Sequence, residues 1–295
     1  MSIQIVSDST CDLPDEIVNS YPITIIPLYI NIDGKSYLDC IELSRQEFYK
    51  RLPLANPHPT TSAPSPSQFK EVYKKLANQG ASAIFSIHIS SSLSAVFNSA
   101  KLAAKEFNDI PVFVIDSGNL TMAEGLIVLK AAQAAKGNKS IEEIKQLIEN
   151  IIPNTYAYAK LDTLDYLLRG GRMSSIQHSI ASLLKIKPLL RMNNGISKME
   201  IARTIKRAFD KVVSIGLQYA PEAEFIGITH ADAEEQVEEL ITRLKSACPN
   251  CVDPLINVVT PSLGSHVGPG ALCISWIDRK EHHESDKKGL PKWFF

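Results

Sequence analysis

The sequence predicts an α/β protein of two domains: an N-terminal parallel sheet with helices on both faces, then a C-terminal α/β domain with a mixed sheet. Three observations carry that expectation. The chain has 295 residues and is 44% hydrophobic, more apolar material than one ordinary core holds. Short β-branched runs alternate with helical patterns through the first half, the spacing of strands joined by crossover helices. Beyond Pro153 and Asn154 the pattern changes and a hairpin signal enters. The expected division is residues 1–153, residues 154–279 and a polar, aromatic-ended tail over 280–295.

Each element has its own reason. "SIQIVSD" (2–8) reads as a strand, and "LPDEIVNSY" after it carries a proline and acidic residues suited to a first helical turn. "ITIIPLYINIDG" (23–34) is strongly β-branched, and Ser44 opens a short helix over 44–52. Prolines 53, 57, 59, 64 and 66 argue against regular structure until a helix starts at Ser67. "SAIFSIHI" is a strand, and from Ser94 the positions Val96, Phe97, Ala100, Ala103, Ala104 and Phe107 share one helical face. "PVFVIDS" is the next strand, followed by a long helix from Leu120 to about Lys136, and Ser140 with Glu143 forms a capping box for another.

In the second half, "TYAYAKL" reads as a strand, "TLDYLL" as a helix stopped by Gly170 and Gly171, and "SIQHSIASLLKI" as a second helix. "KPLLRMNNGISKM" reads as a hairpin turned at Asn194-Gly195. A helix over 199–219, strand "EFIGITH", helix "AEEQVEELITRLK" and strands "INVVTPS" and "ALCISWI" complete the pattern, with "LGSHVGPGALC" (263–273) as a glycine-rich loop.

Composition narrows the function. Lys and Arg total 31 against 32 Asp and Glu, with no long block of either sign, so nucleic acid is not an expected partner. The start "MSIQIVSDST" lacks a signal-peptide pattern, and no apolar run reaches the ~20 residues a membrane span needs, so a cytoplasmic location is expected. Five scattered cysteines argue against a secreted disulfide framework, and "CPNC" (248–251) reads as a surface turn at the end of a helix.

Ligands of parallel α/β sheets sit at the carboxyl ends of strands, beside helix N-termini. Three hydroxyl-rich segments fall at such places: "SDST" (7–10), "TTS" (60–62) and "SSSLS" (90–94). Neutral hydroxyls there suit a carboxylate or phosphate head group, although capping alone accounts for one or two of them. His266 lies amid the glycines of 263–273, and Arg172 follows a helix end, where it either binds an anion or offsets the helix dipole. His88, on a strand, reads as a core histidine. An aspartyl phosphatase needs Asp-x-Asp-x-Thr after the first strand, and Asp8-Ser9-Thr10 lacks the second carboxylate. A serine hydrolase with "SSSLS", His266 and Asp116 stays open, without the Gly-x-Ser-x-Gly elbow.

"VSDSTCDLP", "TTSAPSPSQF", "HISSSLSAVFNSA", "VIDSGNLTMAEGL", "LDYLLRGGRMSS" and "SHVGPGALC" stand in the order of the DegV family, which this chain resembles from about residue 3 to 278. Characterised members are FakB-type proteins, the fatty-acid-binding subunits of a bacterial fatty acid kinase. The resemblance implies a two-domain carrier, with no catalytic residue and no cofactor, that holds one long-chain fatty acid in a tunnel between its domains. A separate kinase subunit phosphorylates the bound acid to an acyl-phosphate for phospholipid synthesis. Carried onto this sequence, the carboxyl is held by Thr61, Ser62, Ser91 and Ser92, with His266 and Arg172 near the head group. The family's "LSGTY" is here "LSAVF" (93–97), with Ala95, Val96 and Phe97, its "TSQPS" has Ala63, and its "HTGPG" has Val267. The expected partners are the fatty acid, the kinase subunit and, through the aromatic tail, a transient membrane surface. A serine-dependent lipid esterase and a fatty-acid-responsive sensor are the alternatives.

Overall fold

The computed structural model describes residues 2–173, 186–193 and 195–279. A four-stranded parallel sheet is built from β1 (Ser2–Asp8), β2 (Ile23–Ile26), β6 (Ala81–His88) and β7 (Val112–Asp116), in the order β2-β1-β6-β7. Adjacent residues on its strands point to opposite faces, so both faces must be covered. Val6 and Ile84 face α3 (Pro66–Asn78) and α4 (Val96–Lys105), where Phe69, Tyr73 and Ala100 complete one core. Ile5 and Phe85 face α5 (Thr121–Lys136) and α6 (Ile141–Ile151), packing with Leu126, Ile144 and Ile148. Ser140 and Glu143 form the expected capping box of α6.

A six-stranded mixed sheet follows in the order β10-β9-β8-β13-β11-β12, from β8 (Thr155–Lys160), β9 (Lys187–Met192), β10 (Ile196–Ala202), β11 (Ala223–His230), β12 (Leu255–Val258) and β13 (Leu272–Asp278). Only β11 and β12 pair in parallel. Helices α8 (Ile205–Tyr219) and α9 (Glu234–Ala247) cover one face through Val212, Leu240 and the stacked rings of Tyr219 and Trp276.

Helix α5 lies against the other face and therefore touches both sheets. It is apolar nearly all round, and residues Thr121 through Leu129 are all buried, as a helix enclosed on all sides requires. Its approach to β11 is so close that a Cβ on Gly227 would fall 2.1 Å from the Met122 side chain. A small antiparallel sheet of β4 (Lys35–Leu38), β3 (Tyr29–Ile32) and β5 (Thr60–Ser62) completes the sheets, while α1 (Asp15–Ser20), α2 (Arg45–Arg51) and α7 (Asp165–Arg169) are short.

Several local expectations are corrected. The proline-dense loop contains β5, because 60–62 is proline-free and β-prone and pairs Thr61 opposite Ile30. Proline at the first helical position lets α3 start at Pro66, with Ser65 as its cap. Residues 196–202 extend as β10, and the helix expected from 199 begins only at Ile205, capped by Thr204. The supposed loop over 263–273 begins with α10 (Pro261–Val267), which carries His266. The 248–251 segment is a turn in which Cys251 N–H donates to the Cys248 carbonyl, and its two cysteines are joined as a disulfide, their Cα atoms 5.4 Å apart. The expected helix over 175–186 and Asn194 of the hairpin turn fall largely outside the described residues, as does the 280–295 tail.

Candidate ligand pocket

Between the sheets lies a cavity of about 970 Å³, counting its opening to solvent. Its walls are largely Leu, Ile, Val and Met side chains: Leu28 and Ile89 from the first half, Leu190, Met192 and Leu263 from the second, with Leu120 at the start of α5. Among the described residues no helix is long and apolar enough to cross a membrane.

One rim of this cavity is polar, and there the structure brings together three of the six expected site residues. Thr61, on β5, has its hydroxyl 3.1 Å from Nε2 of His266 on α10. Arg172, just past the Gly170-Gly171 end of α7, donates from Nε to the Leu93 carbonyl at 3.3 Å and from Nη1 to the Gly170 carbonyl at 3.0 Å. All three line the cavity. Burial, then the positive charge of Arg172, then His58, pulls the His266 pKa down to about 4, so its ring is neutral at neutral pH. Nδ1 of His266 is buried and has no hydrogen-bond partner among the described residues. It faces Gly170, where a Cβ would come within 2.1 Å of that nitrogen.

Ser62, Ser91 and Ser92 are exposed and do not line the cavity. The strand period of two explains Ser62: Thr61 faces the cavity, so its neighbour faces away. In the "SSSLS" run, Leu93 N–H and Ser94 N–H donate back to the Ser90 carbonyl, Ser91 N–H donates to the Asp116 carboxylate, and the hydroxyls of Ser90 and Ser92 are 2.9 Å apart. The run is therefore a turn leading into α4, and Leu93 and Ser94 are the two of its residues that reach the cavity. The imagined hydrolase triad is not assembled, because Asp116 accepts from the backbone of Ser91 and Gly118.

A buried polar network stands behind the cavity wall and reaches the cavity through Thr10. Asp8 accepts from Thr10 N–H at 3.1 Å, the Thr10 hydroxyl at 2.5 Å, Ile89 N–H at 3.2 Å and Nδ1–H of His88 at 2.9 Å. Nε2 of His88 is 2.6 Å from the Ser86 hydroxyl, which meets the Tyr73 hydroxyl at 2.8 Å. His88 is thus a fully enclosed core histidine with both nitrogens engaged. Burial, then the charge of Asp8, pushes the Glu124 carboxyl well above its ordinary range. Because the single proton of Thr10 goes to Asp8, a protonated Glu124 donates to Thr10 across their 3.0 Å contact. Thr121 donates to Asp12, and Ser262 to Asp39, so these cavity-lining residues turn their hydroxyl protons outward. The signal for Asp12 and Glu124 was the repeated aspartate in "SDSTCD" and the lone glutamate of α5, neither of which matches a catalytic motif. His58, between two prolines, carries no motif in the sequence; its Nε2–H donates to the Ser265 carbonyl at 2.8 Å.

The model of a family described as uncharacterised protein, DegV family, matches residues 2–279. A DegV domain-containing protein of Listeria innocua is 37% identical over 278 residues, spanning 93% of this chain and 98% of that one. Among solved structures, DegV of Bacillus subtilis, a fatty acid binding protein, is 34% identical and covers 95% of this chain and 100% of its own, with a TM-score of 0.86. A DegV family protein of Thermus thermophilus, solved for its fatty acid binding, is 29% identical over 94% of this chain and 100% of that one, with a TM-score of 0.85.

Proposed function

Because the chain belongs to the DegV family, we propose that it binds one long-chain fatty acid and presents the carboxyl to a separate kinase subunit, which forms the acyl-phosphate used in phospholipid synthesis. The observation that carries this reading is a cavity walled largely by apolar side chains whose rim holds Thr61, His266 and Arg172. Burying methylenes at ~0.8 kcal/mol each supplies on the order of 10 kcal/mol before the costs of association, so the tail alone captures the ligand. The rim then has to orient the carboxyl more than attract it. With its ring proton on Nε2, neutral His266 donates to Thr61, whose own proton is left for a carboxylate oxygen.

In this reading residues 1–153 and 154–279 are the two domains that enclose the acid, and the protein is a carrier without chemistry of its own. The absence of a carboxylate at Nδ1 of His266 among the described residues supports the carrier over the esterase. Native mass spectrometry of protein purified from bacterial cells tests it. A mass excess of one long-chain fatty acid, lost after organic denaturation, is the expected result. Protein that is empty and labels with a fluorophosphonate would replace the carrier with a hydrolase.

A further inference from the structure

Helix α10 is seven residues long, contains Gly264 and is followed by Gly268, so its own hydrogen bonds cannot hold it in place. Yet it must keep His266 within bonding distance of Thr61 on a different sheet. Its first turn is tied down by two buried carboxylates contributed by distant segments of the chain. Asp12, directly after the short turn Ser9–Cys11, accepts from Thr260 N–H at 2.9 Å. Asp39, directly after β4, accepts from Ser262 N–H at 3.2 Å and from the Ser262 hydroxyl at 2.5 Å. Each has a second anchor that fixes its own position: Thr121 donates to Asp12 at 2.6 Å, and Ser9 donates to Asp39 at 2.7 Å while accepting from Leu28 N–H at 3.1 Å. Both carboxylates are 1% exposed and neither lines the cavity, so neither can touch a ligand there.

We propose that Asp12 and Asp39 are positioning residues for the carboxyl site: by clamping the first turn of α10 they hold His266 against Thr61. His266 lies four residues beyond Ser262, about 6 Å further along the helix at 1.5 Å per residue, so a tilt at the clamped turn moves the imidazole directly. The clamp also joins two segments that line the cavity, since Leu28 follows the strand beside β1 and Leu263 lies on α10. This inference rests on the fatty-acid reading.

The test compares Asp12→Asn and Asp39→Asn with the unaltered protein. Asparagine keeps one acceptor oxygen, and the surrounding hydroxyls can rotate to accept from its amide, which preserves the fold while loosening the clamp. Binding of hexadecanoate and of hexadecan-1-ol is measured for each protein, together with the His266 ring signals by NMR in the absence of ligand. The expected result is a loss of about tenfold in affinity for the acid, little change for the alcohol, and a displaced His266 signal in both variants. A purely structural role would weaken acid and alcohol together and leave the His266 signal in place, and that outcome overturns the proposal, as does no change in either ligand. Unaltered protein that binds neither molecule would sink the fatty-acid reading, while the His266 signal would still decide whether the carboxylates hold the ring.

Discussion

His88 and His266 sit in two polar regions of one molecule, and their surroundings differ in a way that separates scaffold from site. His88 is sealed inside the parallel sheet, with Asp8 on one ring nitrogen and Ser86 on the other, and Asp8 itself accepts four hydrogen bonds. His266 stands at the rim of an apolar cavity, bonded at Nε2 to Thr61, with Nδ1 unpartnered among the described residues. A closed network has nothing left to offer a ligand and holds the fold. An open one is less well satisfied on its own and lines the space a ligand would enter. The sequence already sets the strand histidine apart from the one amid glycines, and completeness of pairing gives the physical reason.

The comparison breaks most sharply at Asp8. Asp8→Ala strips acceptors from two backbone N–H groups, the Thr10 hydroxyl and His88 in a place water does not reach. We expect it to cost about 3 kcal/mol or more of stability, by analogy with breaking one side of a buried pair. Urea unfolding with an unchanged m-value measures this. A loss under about 1 kcal/mol would mean that the network is not the support described here.

At the rim the expected change is in binding rather than folding. Gly170→Ala puts a methyl group 2.1 Å from Nδ1 of His266, and the ring must swing away from Thr61 because the neighbouring Tyr166 carbonyl is only 3.0 Å from the same carbon. Fatty-acid affinity should fall by about tenfold, as in His266→Ala, with a stability cost of about 1–3 kcal/mol for the overpacking. Titration with a fluorescent fatty acid beside urea unfolding separates the two effects. Full affinity in Gly170→Ala would show that the position of His266 does not set carboxyl binding.

The same contrast explains what could be read in the amino-acid sequence. Elements with short-range signals were legible: the Ser140 and Glu143 box of α6, the β-branched strands of the parallel sheet, and the glycine stop of α7. Helix α10 was hidden because Gly264, Gly268 and Gly270 read as a loop, and what anchors it comes from Asp12 and Asp39, more than 200 residues away. The strand over 196–202 was absorbed into a helical pattern because its pairing partner, β9, outweighs local propensity. At the site, Thr61 and His266 carried recognisable motifs, yet their contact spans 205 residues and no local pattern encodes it. The four serines drew attention by number, and most of that number serves a turn.

The last expected effect opposes, by sign, the rim histidine and the buried Asp12 that anchors its helix. Burial, opposed chiefly by Arg45, pushes Asp12 up to about 7 from an ordinary 3.8, whereas burial beside Arg172 pulls His266 down to about 4 from 6.5. Between those limits the folded protein holds a proton on Asp12 that the unfolded chain has released. Stability from this group is therefore present at low pH and lost as pH rises toward 7. His266 runs the other way: the unfolded chain takes up a proton that the folded ring refuses, so its contribution is lost as pH falls from 6.5 toward 4. Urea unfolding of the unaltered protein, Asp12→Asn and His266→Gln across pH 4 to 7 isolates each slope by difference, cancelling the other titrating groups. The stability difference from Asp12→Asn should shrink as pH rises, and that from His266→Gln should grow in favour of the unaltered protein. Parallel slopes would mean that burial does not act oppositely on the Asp12 carboxyl and the rim imidazole, which would remove the electrostatic contrast between the ring and its anchor.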